Sequence, residues 1–188
     1  EPIDVWAVGP GLGKSRAHEI IDLIRSAKAP MVIDADGLNI LSEKIETLEK
    51  PAGPRLLTPH PGEMKRLFPQ EKGTRAEIAG NFTDAYRVTL LLKGSRTIVA
   101  EAGRPLSYNT TGNPGMATGG MGDVLTGVCA GLLGAKLLPN DAARLGAWLC
   151  GRAAELAISG GAVSEESLLP TDLLDHLGPA FRELRGPS

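Results

Sequence analysis

What most constrains this chain is a series of short, almost unbroken apolar runs, each stopping at a glycine or a reactive side chain. Ile3–Val8 (IDVWAV), Met31–Asp34 (MVID), Arg55–Thr58 (RLLT) and Val88–Lys93 (VTLLLK) are shorter than a helix of a compact domain needs. Runs without apolar–polar alternation mark strands covered on both faces, which is the habit of a parallel sheet. Helical patterns separate them. Arg16–Ala27 turns Ile20, Leu23 and Ile24 inward, a short helix falls near Leu41–Leu48, another runs from Pro61 to Phe68, and Thr74–Tyr86 opens with Thr74 and Glu77 spaced as a capping box. Arg96–Ala100 and Leu106–Tyr108 pair as a hairpin through Ala102-Gly103. The remainder is helical: from about Gly122 to Ala135, from an Asn140 or Asp141 cap to Gly160-Gly161, from Thr171 through TDLLDHL, and a last short helix with Phe181 and Leu184. Alternating strands and helices predict an α/β fold, a three-layer, mostly parallel sheet, and 188 residues at 42% hydrophobic suffice for one domain over residues 1–188.

Residues 113–127, NPGMATGGMGDVLTG, are the chemical centre of that expectation. Gly115, Gly119, Gly120 and Gly122 permit positive φ and let a ligand approach bare backbone. The loop empties into an apolar, small-residue helix, so free N–H groups and the helix dipole stand ready for phosphate. Asp123 falls in the first helical turn, where the dipole favours negative charge. A carboxylate beside an anion site repels the anion, and a general base that takes a proton from an attacking hydroxyl is the functional reason to keep one there.

Other strand ends carry further candidates. GPGLGKS after the first run misses a Walker A loop because Val8 stands where its first glycine belongs, and misses a dinucleotide fingerprint because Lys14 replaces the third glycine. It remains a glycine turn at a strand's carboxyl end, where open α/β sheets place ligands. Asp34 and Asp36 suit a metal or a ribose, or equally a cap for the next helix. His60, held between Pro59 and Pro61 at the start of a helix carrying Glu63, sits at the rim of the expected crevice. Lys93, between an apolar strand and Gly94 with Thr97 beyond, is either a solvated strand-end lysine or a contact for a nucleotide.

The bulk numbers exclude several classes. A net charge of −2 with scattered basic residues gives no case for nucleic acid or an anionic membrane. EPIDVWAVG has no signal-peptide character, no run is long enough to span a bilayer, and three His form no metal-ligand spacing. Cys129 and Cys150 lie in apolar helical pattern, as reduced core residues of a cytoplasmic protein would.

VGPGLG, VIDADGLN, LTPHPGE, LLKGSRTIV and NPGMATGGMGDVLTG, in this order, resemble the ADP- or ATP-dependent NAD(P)H-hydrate dehydratases, a branch of the ribokinase-like fold. The resemblance spans Val8–Gly127 and extends through the helical tail to Leu177. It implies repair of NADH or NADPH hydrated at the 5,6 double bond, for the S epimer, at the expense of ADP or ATP and with Mg²⁺. It makes Asp123 the base and Gly119, Gly120 and Gly122 an anion hole. It sets Gly11, Gly13 and His60 against the hydrated cofactor, Lys93, Gly94, Ser95, Arg96, Thr97 and Gly122 against the adenine nucleotide, and Glu63 near the magnesium and its waters. An epimerase is the implied partner. Family members carry a further glycine-rich strand-turn-helix before VGPGLG, whereas this chain begins eight residues before Gly9. The expectation is therefore the C-terminal two-thirds of the family domain, an uncovered sheet edge and a homo-oligomer. The rival expectations are a ribokinase-like kinase for a vitamin-precursor alcohol and a non-catalytic nucleotide-binding module.

Overall fold

A computed structural model of the chain describes residues 3–186. Trp6–Val8 (β1), Met31–Ile33 (β2), Arg55–Leu57 (β3) and Thr89–Leu92 (β4) pair in parallel, and Ile98–Glu101 (β5) and Ser107–Tyr108 (β6) add antiparallel, in the order β1-β2-β3-β4-β5-β6. Alternation along the strands splits the apolar side chains between two cores. Val8, Ile33, Leu57, Leu90 and Ala100 lie in register across the sheet and face one of them, while Val32, Leu56, Leu91 and Val99 face the other.

Strands that follow one another in space as in sequence, with right-handed crossovers, send all their connecting helices to one face. Ala17–Ser26 (α1), Ala35–Leu41 (α2), Pro61–Leu67 (α3) and Arg75–Tyr86 (α4) accordingly close the first core with Ile24, Leu41, Met64 and Phe82. Met121–Gly134 (α5), Pro139–Ser159 (α6) and Pro170–Arg185 (α7) close the second. The three-layer, mostly parallel expectation holds. Cys129 and Cys150 are buried free thiols in this second core, and burial pushes the Cys150 thiol up to about 12 and Cys129 higher still.

Four local expectations need correction. The first strand is shorter than Ile3–Val8, because ladder pairing starts at Trp6 against Met31. The helix expected over Leu41–Leu48 lies earlier, as α2 directly after β2, and only a 3₁₀ turn, Ile45–Glu49, follows it. Neither Asn140 nor Asp141 caps α6: Leu138 holds the cap position, Pro139 supplies the preset φ of the first helical residue, and Asn140 is buried. The two C-terminal helices are one, running through Pro179, because Leu173 and Ala180 bury on the same stripe against α6. The expected start at Thr171 moves back to Pro170.

The opposite ends of the sheet differ in character. At the amino end of β3, buried Arg55 donates to Ile24 O at 2.8 Å and Ala27 O at 2.6 Å, closing off the last carbonyls of α1. The carboxyl ends of β1 to β4 carry the glycine turns and reactive side chains instead. On the far face α7 is tied to α6 by a bidentate pair, Arg152 Nε–Glu183 Oε2 at 2.6 Å and Nη2–Oε1 at 2.9 Å. Arg152 Nη1 also meets Glu155 Oε2 at 2.8 Å, and Glu155 Oε1 accepts from Gly112 N at 2.8 Å, so the lock reaches the glycine-rich loop.

The hydrogen bond from Arg152 holds the Glu183 carboxyl below its ordinary value. A carboxylate depressed in the folded state stabilises above its unfolded pKa, and that contribution disappears as pH falls through the folded value. Arg152→Met is expected to lower Tm at pH 7 and to converge on wild type below about pH 4. Melts from pH 7 to 3 check this, and a gap that persists undiminished at pH 3 would detach the loss from the ion pair.

Candidate functional site

Asp34, at the end of β2, sits 1% exposed beneath the strand ends. It occupies the cap position of α2 yet makes no side-chain cap. Its Oδ1 accepts from Lys93 Nζ at 2.7 Å and its Oδ2 from Thr126 Oγ1 at 3.0 Å, so three elements, β2, β4 and α5, meet at one carboxylate. Lys93 Nζ also lies 3.9 Å from Glu63 Oε2. The Lys93 ammonium, partly exposed, is turned toward two buried carboxylates. Asp36 serves a different loop, accepting from Gly13 N at 2.8 Å.

Backbone constraints bring these groups together. A Cβ on Gly9 would lie 1.7 Å from Asp34 O, so only glycine lets the β1 turn cross the end of β2. Leu12, between Gly11 and Gly13, is left exposed at the mouth of that turn. Ala35 follows Asp34 with φ of 46°, an uncommon conformation for a residue with a side chain, at the junction where β2 turns directly into α2.

His60 caps α3. Its Nδ1 accepts from Gly62 N at 2.9 Å and Glu63 N at 3.3 Å, while Glu63 Oε2 accepts from His60 N at 2.8 Å. An Nδ1 that accepts requires the ring proton on Nε2, which lies 3.6 Å from Glu63 Oε1 on a half-exposed ring. Glu63 is 5% exposed and committed to the cap and to the neighbourhood of Lys93.

The N-terminus of α5 rests on the buried pair. A Cβ on Gly122 would stand 3.2 Å from Asp34 Oδ2 and 3.3 Å from Lys93 Nζ, closer than a side chain tolerates without displacing one of them. Gly120 takes φ of 90° and packs on Pro170, and Gly115 packs on Glu165 O. Within the loop Met121 N is bonded to Thr118 O and Asp123 N to Gly120 O, whereas the N–H groups of Gly119, Gly120 and Gly122 make no hydrogen bond among the described residues. The Asp123 carboxylate is exposed and has no hydrogen-bond or salt-bridge partner there either. An exposed carboxylate and a set of unused N–H donors thus stand together at one helix start.

The Gly94–Thr97 turn after β4 lies beside this centre through Lys93. Among the described residues no group of three or more His, Cys, Asp and Glu could hold a metal ion. Two cavities of about 430 and 450 Å³ lie elsewhere, one between β5, β6 and α6 and one between α1 and the turn after α2. Neither cavity is lined by the residues gathered around Asp34 and Lys93.

The family model for carbohydrate-kinase-type proteins described as NAD(P)H-hydrate dehydratase matches residues 1–178. The chain belongs to the NAD(P)H-hydrate dehydratase family. It is 43% identical over 190 residues to the bifunctional NAD(P)H-hydrate repair enzyme Nnr of Moorella thermoacetica, taking in 97% of this chain and 35% of that relative. It is 37% identical to the ADP-dependent (S)-NAD(P)H-hydrate dehydratase of Neisseria meningitidis serogroup B, over 98% of this chain and 64% of that one. It therefore spans about a third of the length of the bifunctional relatives that it matches. The ADP/ATP-dependent NAD(P)H-hydrate dehydratase of Bacillus subtilis, co-crystallised with ATP and Mg²⁺ and soaked with CoA, superposes with a TM-score of 0.84 at 31% identity, over 97% of this chain and 67% of that structure. A ribokinase-like superfamily protein of Enterococcus faecalis follows at 0.77 and 27%, over 98% and 64%. The dehydratase fold of this chain is ribokinase-like.

Sequence reasoning missed the partners of Asp34. Thr126 lies 92 residues away and inside a helix that reads as apolar filler, so no local signal marks it. The family's VIDADGLN and GMATGGMGD segments meet here through the β2 and α5 ends. Lys93→Met leaves a buried carboxylate without its cation and is expected to destabilise by about 3 kcal/mol, the lower end of the usual range because Lys93 keeps some contact with water. Adding Asp34→Asn should return part of that loss. Urea unfolding of the two variants checks it, and a double mutant no better than the single would remove the ion pair as the cause.

Proposed function

We propose that this chain is a dehydrating unit of NAD(P)H-hydrate repair: it restores NADH or NADPH from the S epimer of the 5,6-hydrated cofactor, at the expense of ADP or ATP. The observation that carries the reading is the exposed, unpartnered Asp123 beside the unused N–H groups of Gly119, Gly120 and Gly122. Hydroxide leaves poorly, and phosphate leaves well. Asp123 takes the proton of the ring hydroxyl as its oxygen forms a bond to the terminal phosphorus, and the bond from that phosphorus to the rest of the nucleotide breaks. The glycine N–H groups hold the oxygens on which charge accumulates. The lone pair of the ring nitrogen then expels phosphate, and loss of a proton from the adjacent carbon regenerates the double bond.

Gly11, Gly13 and His60 are assigned to the hydrated cofactor, with His60 Nε2–H as donor and exposed Leu12 as the apolar surface of that turn. Lys93, Gly94, Ser95, Arg96 and Thr97, with Gly122, are assigned to the adenine nucleotide; the backbone of Lys93 is taken up by Pro59 O and Arg75, so its part falls to its partly exposed ammonium. Mg²⁺ neutralises polyphosphate charge and is itself held mainly by phosphate oxygens and water. The committed carboxylate of Glu63 fits contact with that hydration shell and not direct ligation. An enzyme that interconverts the two hydrate epimers complements the activity as partner, and a cytoplasmic setting suits a nucleotide repair reaction. No helix of the described residues is long and apolar enough to cross a membrane.

Recovery of absorbance at 340 nm from enzymatically prepared NADH hydrate with Mg²⁺ and ADP or ATP tests the reading. Asp123→Asn is expected to lose about 10²-fold or more of that rate with Tm unchanged, because the carboxylate has no structural partner among the described residues. A phosphorylated product that accumulates without recovery would mean a kinase, and nucleotide binding without either product a binding module. Self-association is supported by the uncovered side of β1, where Ala7 is exposed. Light scattering should return a multiple of 19.7 kDa, and a mass of one chain at micromolar concentration would refute it.

A further inference from the structure

Arg75, the first residue of α4, reaches across to the turn after β4 and takes up its carbonyl oxygens. Its Nη1 donates to Ser95 O at 2.7 Å, and its Nη2 to Leu92 O at 3.1 Å and Lys93 O at 3.0 Å. The guanidinium lies against the backbone of Gly94, where a Cβ would stand 3.0 Å from Nη2 and 3.3 Å from Cζ. Gly94 adopts φ of 137° and Arg96 φ of 54°, so the turn is held in a conformation that a free peptide rarely adopts. Three carbonyls are thus consumed on one side. The N–H groups of Gly94, Ser95 and Arg96 make no hydrogen bond among the described residues. A turn whose carbonyls are engaged and whose N–H groups are unused is an anion-binding surface made of backbone.

We propose that Arg75 is a positioning residue for this turn: by binding the carbonyls of Leu92, Lys93 and Ser95 it presents the N–H groups of Gly94, Ser95 and Arg96 to the anionic part of an adenine nucleotide. The inference rests on the assignment of this turn to the nucleotide. Arg75 itself touches no substrate. Its planar fork spans three oxygens at fixed spacing, which the single ammonium of a lysine cannot reproduce.

The test is direct titration of the full chain with ADP and with ATP by calorimetry, alongside KM for each substrate, for wild type, Arg75→Met, Arg75→Lys and Gly94→Ala. Both Arg75 variants are expected to raise the nucleotide Kd by about tenfold or more. KM for the hydrate and kcat at saturating nucleotide should stay within about threefold of wild type. Gly94→Ala, which disturbs the same junction from the other side, should weaken nucleotide in the same way, so the proposal stays testable if an Arg75 variant folds poorly. Nucleotide affinity unchanged in variants that melt earlier would make Arg75 merely structural and overturn the proposal. Wild-type affinity in Arg75→Lys would overturn the part played by the fork. A wild-type chain that binds no adenine nucleotide would overturn the proposal together with the assignment of the turn, whereas binding that survives every substitution would sink the proposal alone.

Discussion

The ion pair between Asp34 and Lys93 is the interaction on which the working end of this protein depends. Taking a carboxylate almost wholly out of water costs several kcal/mol, and the attraction of one ammonium at 2.7 Å offsets this only when the remaining lone pairs are also used. Here Thr126 reaches Oδ2 from the opposite layer, and the backbone of the same residue is fixed as well, its N–H by Val8 O and its carbonyl by Gly37 N. Replacing the group with packed apolar side chains would serve stability equally well. What apolar packing could not supply is direction, because each hydrogen bond fixes one element at one distance. The ends of β2 and β4 and the first turns of α5 are located relative to one carboxylate.

Direction matters because α5 carries the exposed Asp123 and the unused N–H groups before it. Gly122 is favoured by packing, since a methyl group on its Cα would press on both members of the pair. The first helical turn is therefore set down on a charged floor, with Asp123 turned away from it into solvent. The loop that enters this turn is braced from the second core as well, through Gly120 on Pro170, Gly115 on Glu165 O, and Gly112 N on Glu155. A donor set that does not reorganise during reaction is worth more than a flexible one, and here the rigidity comes from both cores at once.

The sequence made the layers legible because burial on both faces leaves a strong signal: four short apolar runs, each ending in glycine, proline or a charged residue, correspond to the four parallel strands. Where it misled, tertiary packing overrode local chemistry. The helix expected near Leu41–Leu48 begins at Ala35 instead, with Gly37 packed closely on Val8 O. Gly178-Pro179 reads as a helix end, but one missing hydrogen bond weighs less than the burial of Leu173 and Ala180 on a shared stripe. At the site, glycine spacing marked the loop before α5 as a candidate anion site, and Pro61 in the first turn marked the start of α3. The partners of Lys93 and Arg75 stayed hidden because they lie 59 residues away in one case and 17 to 20 in the other, across contacts that only the folded topology creates.

These hidden contacts share one electrostatic logic. The rim carries Asp34, Glu63 and Asp123 beside a half-buried Lys93 already paired with Asp34, so this cluster offers little free positive charge to a polyphosphate. Attraction has to come from backbone dipoles, and these attract an anion only if the carbonyls of the same peptides point elsewhere. Two turns meet that condition by different means. In residues 118–124 the helix itself consumes the carbonyls of Thr118 and Gly120. In residues 92–97 no helix follows, and the guanidinium of Arg75 does the equivalent work from a neighbouring element. Arg75 binds these carbonyls from a neighbouring element and leaves the N–H groups of the same turn unused among the described residues, which is the arrangement that backbone attraction of an anion requires.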